Sequence, residues 1–439
     1  MRRPPKVVMP GGRENLATVL CVCGSEGYPY GFGGTARITL VGKALQAAGL
    51  NYRILHCGPS PLVENTERRG VHEGISFEYT TSLAWPKNRV ARLLVYVRAV
   101  AGLTLKLVRA RAAEEHVAVY LYAMHGLLNL FVGALCQWLR FPLVQEMCEW
   151  WPAEPRCSAL TRWLFRKRMF RASTGLLVIS KAIEGWAHER AAKINPRLAI
   201  YRLPSVVDLD RFLVTRPPSR PAKNLIPNFV WCGTLDGWLP DVMFLLAALA
   251  GVQKAHPCRL TLIGSYSSRA AQAIKQRASE HGLSVVEGHS RNAQNGSLSS
   301  EDVCLMGWVD EATLLASLRD ATALLLPLWD DDRSRTRMPN KLGEYLASGK
   351  PVIVGRVGDL ADFLVDGVNA CLARPGDHAD FADKMVALLN DPQRAARIGA
   401  AGRQICEQYF DYRVHIRGLA EFFGDCLERP VRLVEVRST

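Results

Sequence analysis

The segment 329–341, WDDDRSRTRMPNK, concentrates side chains that can bind an anion. It follows ALLLPL, an apolar run that is typical of a buried strand. Within nine positions it presents four cations: Arg333, Arg335, Arg337 and Lys341. Guanidinium and ammonium groups at this density can neutralise a diphosphate without a metal ion. The three consecutive aspartates before them would also suit a metal, although such carboxylates more often are solvated or pair with nearby arginines.

A helix is predicted to begin near Pro339, because proline suits a first helical turn. The backbone at Asn340 and Lys341 would then face an anion from the positive end of that helix. Glu344 follows Lys341 by one helical turn, so both side chains can contact one ligand. Its two carboxylate oxygens suit a vicinal diol such as ribose.

A glycine-rich loop follows the first predicted strand. Gly31, Gly33 and Gly34 lead through Thr35 into a helix predicted over 36–48. Backbone N–H groups at such a helix start can contact a phosphate, and a flexible turn is the alternative interpretation.

Two further segments follow predicted strands, at the sheet edge where open α/β folds bind ligands. His125 can donate to a substrate hydroxyl or phosphate there, and a satisfied, partly buried histidine is the alternative. Glu146 and Glu149 either orient an acceptor hydroxyl or are carboxylates at a helix start.

These segments belong to two series of alternating strands and helices, which predict two doubly wound α/β domains with parallel sheets. The first domain is predicted over 1–210 and the second over 229–408. Residues 211–228 are rich in proline and are predicted to be a linker. Residues 409–439 are predicted to be helical and able to cross back to the first domain. Ligands would bind in the cleft between the two sets of loops.

The composition indicates a soluble globular protein, with 49% hydrophobic and 22% charged residues. A formal net charge of +14 favours an anionic partner. The 12 cysteines fit neither zinc spacing nor a disulfide framework, so buried free thiols in the cytoplasm are expected. The amino terminus lacks the apolar region of a signal peptide.

Two segments raise the question of a membrane. The uncharged segment 117–139 is long enough to span a bilayer, but polar residues divide it into a predicted strand and helix. A helix predicted over 88–111 places Arg92, Arg98, Lys106 and Arg109 on one arc. It either packs on the sheet with a solvated basic side, the preferred interpretation, or lies on the inner face of an anionic membrane.

Several motifs in series resemble retaining glycosyltransferases of family 4, which have the GT-B architecture of two Rossmann-like domains facing a central cleft. They include GGTARI at 33–38, LPSVVDLDRF at 203–212, FVWCGTLDG at 229–237 and the long run at 339–377. The resemblance implies transfer of a sugar, with retained configuration, from a nucleotide-diphosphate sugar to a glycan or lipid-linked acceptor. It further implies a role in cell-surface polysaccharide or glycoconjugate synthesis, without a cofactor or an essential metal ion.

The same resemblance assigns roles to individual residues. Glu344 corresponds to the second glutamate of the family's E-x7-E motif and would hold the donor ribose. The residues expected at the reacting centre are His125, Arg333, Lys341 and Glu344. Those expected around the donor are Gly33, Gly34, Thr35, Gly233, Gly307, Trp308, Val309, Arg335, Pro339 and Asn340.

Two departures from the family pattern keep alternatives open. The first glutamate of E-x7-E should fall at position 336, which is Thr336, and CGTLDGWLPD lacks the usual arginine and lysine. Arg333, Arg335 and Lys341 are the candidates for the missing charge. The alternatives are a nucleotide-sugar epimerase, a degenerate non-catalytic transferase and a basic nucleic-acid-binding protein. No nucleic-acid partner is expected, because aromatic residues do not interleave with the basic runs.

Overall fold

The computed structural model describes residues 17–24, 26–31, 33–113, 116–122, 126–150, 163, 168–213, 226–288 and 302–428. Within these ranges the chain forms two α/β domains, each built on one sheet. The prediction of two doubly wound domains is confirmed.

The amino-terminal domain has an eight-stranded sheet. Its strands are β1 Thr18–Cys23, β2 Asn51–His56, β3 Arg69–His72, β4 Ile75–Tyr79, β5 Val117–Tyr122, β6 Leu143–Met147, β7 Gly175–Val178 and β8 Ala199–Arg202. They lie in the order β3-β4-β2-β1-β5-β6-β7-β8, and β3 alone is antiparallel to its neighbour. The helices are α1 Gly33–Ala47, α2 Arg89–Ala112, α3 Gly126–Leu139 and α4 Lys181–Ile194. Every residue of β1, β5 and β6 is buried, as expected when helices cover both faces.

The carboxyl-terminal domain has a parallel seven-stranded sheet in the order β11-β12-β10-β9-β13-β14-β15, defined as follows. The strands are β9 Asn228–Cys232, β10 Arg259–Ile263, β11 Val285–Glu287, β12 Val303–Gly307, β13 Ala323–Leu326, β14 Val352–Gly355 and β15 Cys371–Ala373. The helices are α5 Leu239–Gln253, α6 Ser268–Glu280, α7 Glu311–Asp320, α8 Asp332–Thr336, α9 Asn340–Ala347, α10 His378–Asn390 and α11 Pro392–Tyr409.

After α11 the chain returns to the amino-terminal domain. The amide of Val207 donates to the Phe410 carbonyl at 2.8 Å, and that of Tyr412 donates to the Val207 carbonyl at 3.0 Å. Helix α12, Ile416–Cys426, then packs against α1 and β8. The chain thus crosses back at 410–416, and residues 203–213 contact the carboxyl-terminal domain through Ser205 and Arg211. Most of the predicted linker, 211–228, lies outside the described residues.

Edge strands are where the structure adds most to the sequence prediction. The apolar runs at 18–23, 117–122, 259–263 and 323–326 predict strands whose bounds agree with β1, β5, β10 and β13. The sequence patterns do not predict five strands, all at or beside sheet edges: β3, β4, β8, β11 and β15. Strand β15 is buried but has only three residues, and β4 alternates between buried and half-buried positions. Strands β3, β8 and β11 contain no buried residue. Partial exposure removes the continuous apolar run by which buried strands are recognised.

The membrane and cysteine predictions can be compared with the described residues alone. Among these residues no helix is both long and apolar enough to cross a bilayer. The segment 117–139 contains β5 and α3 instead of one long helix. The cysteines in the described ranges are all free thiols, and most are buried.

Candidate active site

The starts of α1 and α9 meet across the domain boundary. A Cβ atom on Gly33 would lie 3.1 Å from Nδ2 of Asn340. Pro339 is the N-cap residue of α9, and the Asn340 carbonyl accepts a hydrogen bond from the Ser205 hydroxyl at 3.1 Å. Two positive helix ends therefore converge at one point of the cleft, as an anionic ligand requires.

The glycine loop before α1 is held by its own contacts. Oγ1 of Thr35 lies 3.0 Å from the carbonyl oxygens of both Glu26 and Gly27, and Thr35 is 5% exposed. A Cβ on Gly34 would collide with the Glu26 carboxylate. Gly33 thus borders the cleft, whereas Gly34 and Thr35, expected at the donor, fix the conformation of the loop.

A buried ion pair beside this loop joins α1 to β6. Nε and Nη2 of Arg37 donate to Oε1 of Glu146 at 3.0 Å and 2.9 Å, and Tyr120 donates to Oε2 at 2.5 Å. Arg37 also donates to the carbonyl oxygens of Leu203 and Pro204. Burial opposes the charged guanidinium, but Glu146 more than offsets it, and the pKa of Arg37 lies above its usual value. Glu146 is therefore a core residue and does not orient an acceptor.

In the carboxyl-terminal domain two arginines converge on one tryptophan. The guanidinium carbons of Arg333 and Arg337 lie 4.3 Å and 4.4 Å from the ring centre of Trp238. Cation–π contacts favour this arrangement. Trp238 lies in the segment after β9 that lacks the family's usual arginine and lysine. The 333–337 segment therefore supplies positive charge at the end of β9, where those residues are missing.

Lys341 brings a third cation to the same place. Its Nζ lies 4.1 Å from the ring centre of Trp231 and 5.9 Å from that of Trp238. A Cβ on Gly233 would lie 2.7 Å from this Nζ, so glycine leaves room for the ammonium group. Burial lowers the pKa of Lys341 to about 8, although Asp241 opposes that shift.

The positive charge of this cluster is incompletely balanced. Asp241 is 5% exposed and accepts a hydrogen bond from Nε1 of Trp329 at 2.9 Å. Burial and the Arg333 charge nevertheless lower the pKa of Arg337. The Nε atoms of Arg333 and Arg337 are buried, and neither has a hydrogen-bond partner among the described residues. Unsatisfied cationic donors of this kind suit a phosphate group.

Arg335 does not join the cluster in which it was expected. Its Nε donates to Asp330 at 2.8 Å, and its side chain is 53% exposed. Asp331 accepts from the Ser334 amide and caps α8. The consecutive aspartates thus pair with their own loop, and no group of metal-ligating side chains occurs among the described residues. Arg337, one of the four cations named in this loop but not assigned to the donor, takes the place expected for Arg335.

Glu344 is connected to the segment between the domains. Nη1 of Arg211 donates to Oε1 of Glu344 at 2.9 Å, and Nε of Arg211 donates to Glu311 at 2.6 Å. No donor among the described residues forms a hydrogen bond with Oε2 of Glu344. One oxygen is therefore held in place while the other can accept a hydroxyl. Arg211 was missed as a site residue, although it lies in the LPSVVDLDRF motif.

The residues after β12 divide into two groups. Gly307 has a φ of 72°, which favours glycine, and Trp308 is 63% exposed beside it. Val309 is 9% exposed and packs in the hydrophobic core. Gly307 and Trp308 can therefore border a nucleoside base, whereas Val309 supports the loop from below.

Position 336 faces the amino-terminal domain. The Thr336 carbonyl accepts from the Ser180 hydroxyl at 2.5 Å, and its own hydroxyl donates to the Asp332 carbonyl at 2.6 Å. Ser180 is the N-cap residue of α4, so that helix braces the segment carrying Arg333 and Arg337. His125 lies outside the described residues.

Comparison with known proteins places this geometry in a fold. The sequence profile of the family described as "Glycosyl transferases group 1" matches residues 226–391. Sucrose-phosphate synthase from Thermosynechococcus elongatus has a TM-score of 0.69 at 17% identity, covering 93% of this chain and 98% of that one. The chain has the GT-B fold. HepE from Anabaena, solved with UDP and glucose, has a TM-score of 0.66 at 16% identity, covering 92% and 99%.

Other comparisons agree with the GT-B fold. WaaG, a glycosyltransferase involved in lipopolysaccharide biosynthesis, has a TM-score of 0.60 at 14% identity, covering 92% of this chain and 100% of that one. None of the curated proteins matches the sequence. The cation cluster lies within residues 226–391, the range that matches the group 1 glycosyl transferase profile.

Proposed function

We propose that this GT-B protein transfers a sugar from a nucleotide-diphosphate sugar to a glycan or lipid-linked acceptor. The observation that carries the proposal is the cluster of Arg333, Arg337 and Lys341, with two buried Nε donors unsatisfied among the described residues. A diphosphate has both the negative charge and the acceptor oxygens that such a cluster binds.

The same cluster explains how the reaction would proceed without a metal ion. Cleavage of the sugar–phosphate bond leaves negative charge on the departing diphosphate. Cations that are already fixed in a poorly solvated site stabilise that charge without reorganising. Arg333, Arg337 and Lys341 would therefore stabilise the leaving group.

Retention of configuration is part of the proposal. The glycine loop of the amino-terminal domain meets α9 at Gly33 and Asn340, so acceptor and diphosphate sides of the cleft are adjacent. Retention is proposed because the motif series resembles retaining family 4 enzymes, and attack would then come from the face that the diphosphate leaves. His125 is proposed to contact the transferred sugar from the acceptor side.

The donor's nucleoside would lie between Glu344 and Trp308. Oε2 of Glu344 would accept a ribose hydroxyl, and the exposed Trp308 ring would border the base. HepE was solved with UDP-glucose, so uridine diphosphate sugars are the first donors to test. WaaG is involved in lipopolysaccharide biosynthesis, which supports a cell-surface glycoconjugate as the acceptor.

Calorimetric titration with uridine, guanosine and adenosine diphosphates and their sugars tests the proposal. We expect saturable binding of one nucleotide class. Glu344→Ala should weaken that binding about 10- to 100-fold, because it removes a hydrogen bond to a charged group. Glu311→Ala is the matched control, since Glu311 also pairs with Arg211 but is not assigned to the donor.

The product distinguishes the remaining alternatives. Transfer to an added acceptor with retained anomeric configuration, followed by NMR, supports the proposal, whereas an inverted product contradicts it. An epimerase would change the donor sugar without an acceptor. Nucleotide binding without any turnover would favour the degenerate transferase, for which Thr336 is the motivating residue. Tight DNA binding with no nucleotide response would contradict all the enzyme interpretations.

A further inference from the structure

Helix α2 extends beyond the sheet on which it packs. It has 24 residues and spans about 36 Å, whereas the five-residue strand β4 spans about 17 Å. A Cβ on Gly102 would lie 2.6 Å from the carbonyl oxygen of Thr80, directly after β4. Oγ1 of Thr81 lies 3.5 Å from the Val95 carbonyl. The first turns of α2 therefore project past the carboxyl edge of the sheet, the edge that borders the cleft.

This projecting part exposes large apolar side chains. The most exposed are Val90 at 67%, Leu93 at 64%, Leu94 at 54%, Tyr96 at 54% and Val97 at 58%. The buried residues of α2 are Val95, Ala99, Leu103 and Leu107. The preferred sequence interpretation, a helix with its apolar side packed, therefore holds only for the later turns. We call residues 85–98 the α2 overhang.

The charged residues in and next to the α2 overhang along the chain are all basic. Residues 82–113 contain no aspartate or glutamate. The cations within the overhang are Lys87, Arg89, Arg92 and Arg98. The Trp85 and Tyr96 rings lie 4.9 Å apart, which adds an aromatic pair of the kind found at membrane interfaces. An exposed apolar surface whose own segment carries only cationic charges is complementary to anionic lipid.

We propose that the α2 overhang docks on an anionic lipid bilayer. The exposed apolar side chains would enter the boundary between headgroups and acyl chains, while the lysine and arginines contact lipid phosphates. Because the overhang lies at the cleft edge, docking would bring the acceptor side of the cleft to the membrane surface. This placement favours a lipid-linked acceptor. The inference about the acceptor rests on the proposed function, whereas the docking itself does not.

Vesicle sedimentation with the full-length protein tests the docking. The probes are vesicles of phosphatidylcholine alone and vesicles that also contain phosphatidylglycerol. We expect binding to the second kind, weakened by salt. The double variant L93E/V97E should bind at least about tenfold more weakly, because two inserted apolar side chains become charged. The matched control is V365E/V368E, which changes two valines exposed by 55% and 58% in the other domain.

Each outcome decides the proposal. Loss of vesicle binding in L93E/V97E, with binding retained in V365E/V368E, supports it. Equal binding by all three proteins, or no binding by the wild type, overturns it. A wild-type dimer that L93E/V97E makes monomeric, without vesicle binding, would make a second copy the occupant and also overturn it. Nucleotide titration of the same samples reports fold and donor binding separately, so failure of the transferase proposal stays distinguishable.

Discussion

Each domain contains an arginine that is at least partly buried, Arg37 in the first and Arg337 in the second. The two differ in how far their N–H groups are hydrogen-bonded and in the direction in which their pKa values are shifted. Nε, Nη1 and Nη2 of Arg37 all donate to protein oxygens, and the pKa of Arg37 is raised. Nε of Arg337 has no partner among the described residues, and burial lowers its pKa. The satisfied cation contributes to the fold, whereas the unsatisfied one is suited to a ligand.

Because of this difference, we expect removal of the two arginine side chains to change the free energy of unfolding by different amounts. Deleting Arg37 would leave the Glu146 carboxylate buried without its counter-charge. Deleting Arg337 would remove a guanidinium whose charged form is disfavoured, and whose pKa is lowered, by burial and by the Arg333 charge. A ligand that neutralises the cation cluster should in turn stabilise the folded protein.

The largest expected effect is that of Arg37→Met on stability. We expect the free energy of unfolding to fall by about 3–5 kcal/mol, because one partner of a buried ion pair is removed. Urea denaturation followed by circular dichroism measures the shift. Arg417→Met, which breaks the exposed pair with Glu421, should leave the midpoint unchanged. An unchanged midpoint in Arg37→Met would contradict the structural role given to this arginine.

The second largest expected effect is that of Arg337→Met on nucleotide affinity, without a loss of stability in the free protein. Arg337→Met should weaken binding of the preferred nucleoside diphosphate about 10- to 100-fold, because charge-assisted hydrogen bonds are lost. The urea midpoint of the free variant should not fall. Arg335→Met is the matched control and should change affinity by less than about threefold, since Arg335 is exposed and pairs with Asp330. Equal losses in the two variants would remove the distinction between these arginines.

The sequence predicted contacts between residues that are close along the chain better than contacts between residues that are far apart. The spacing of Lys341 and Glu344 on one helix follows from helical periodicity, and the alternating strands and helices predicted both sheets. Which arginine joins the cluster depends on Trp238, far away in the sequence. The sequence analysis named both arginines but assigned only Arg335 to the donor, whereas the structure places Arg337 there.

Helix α2 shows a similar limit. Its periodicity indicated a basic side and an apolar side, but periodicity cannot show where the supporting sheet ends. That point depends on the lengths of β4 and α2 and on the close approach of Gly102 to Thr80. Only the packed structure shows that, among the described residues, most large apolar side chains of the first turns stay exposed while Val95 is buried.

The smallest expected difference between the two domains is in pH dependence. Ligand binding by the cation cluster should depend on pH, whereas the charge of Arg37 should not. The pKa of Lys341 is about 8 in the free protein, below the usual value of about 10.4 for lysine. A diphosphate favours the charged ammonium, so binding raises this pKa. Affinity should therefore hold from about pH 7 to 8 and fall above it, by at most about tenfold per pH unit.

Calorimetry between about pH 7 and 9.5 measures this dependence, in a range where the terminal phosphate, with a second pKa of about 6, is at least about nine-tenths ionised. Lys341→Arg should remove it, because a guanidinium stays charged throughout. The neighbouring Cys232 thiol does not compete as the titrating group, since burial raises its pKa to about 12. The same slope in Lys341→Arg would show that another group titrates. Arg37 keeps its charge over this range, because its pKa is raised, so its contribution to stability should stay constant where ligand affinity declines.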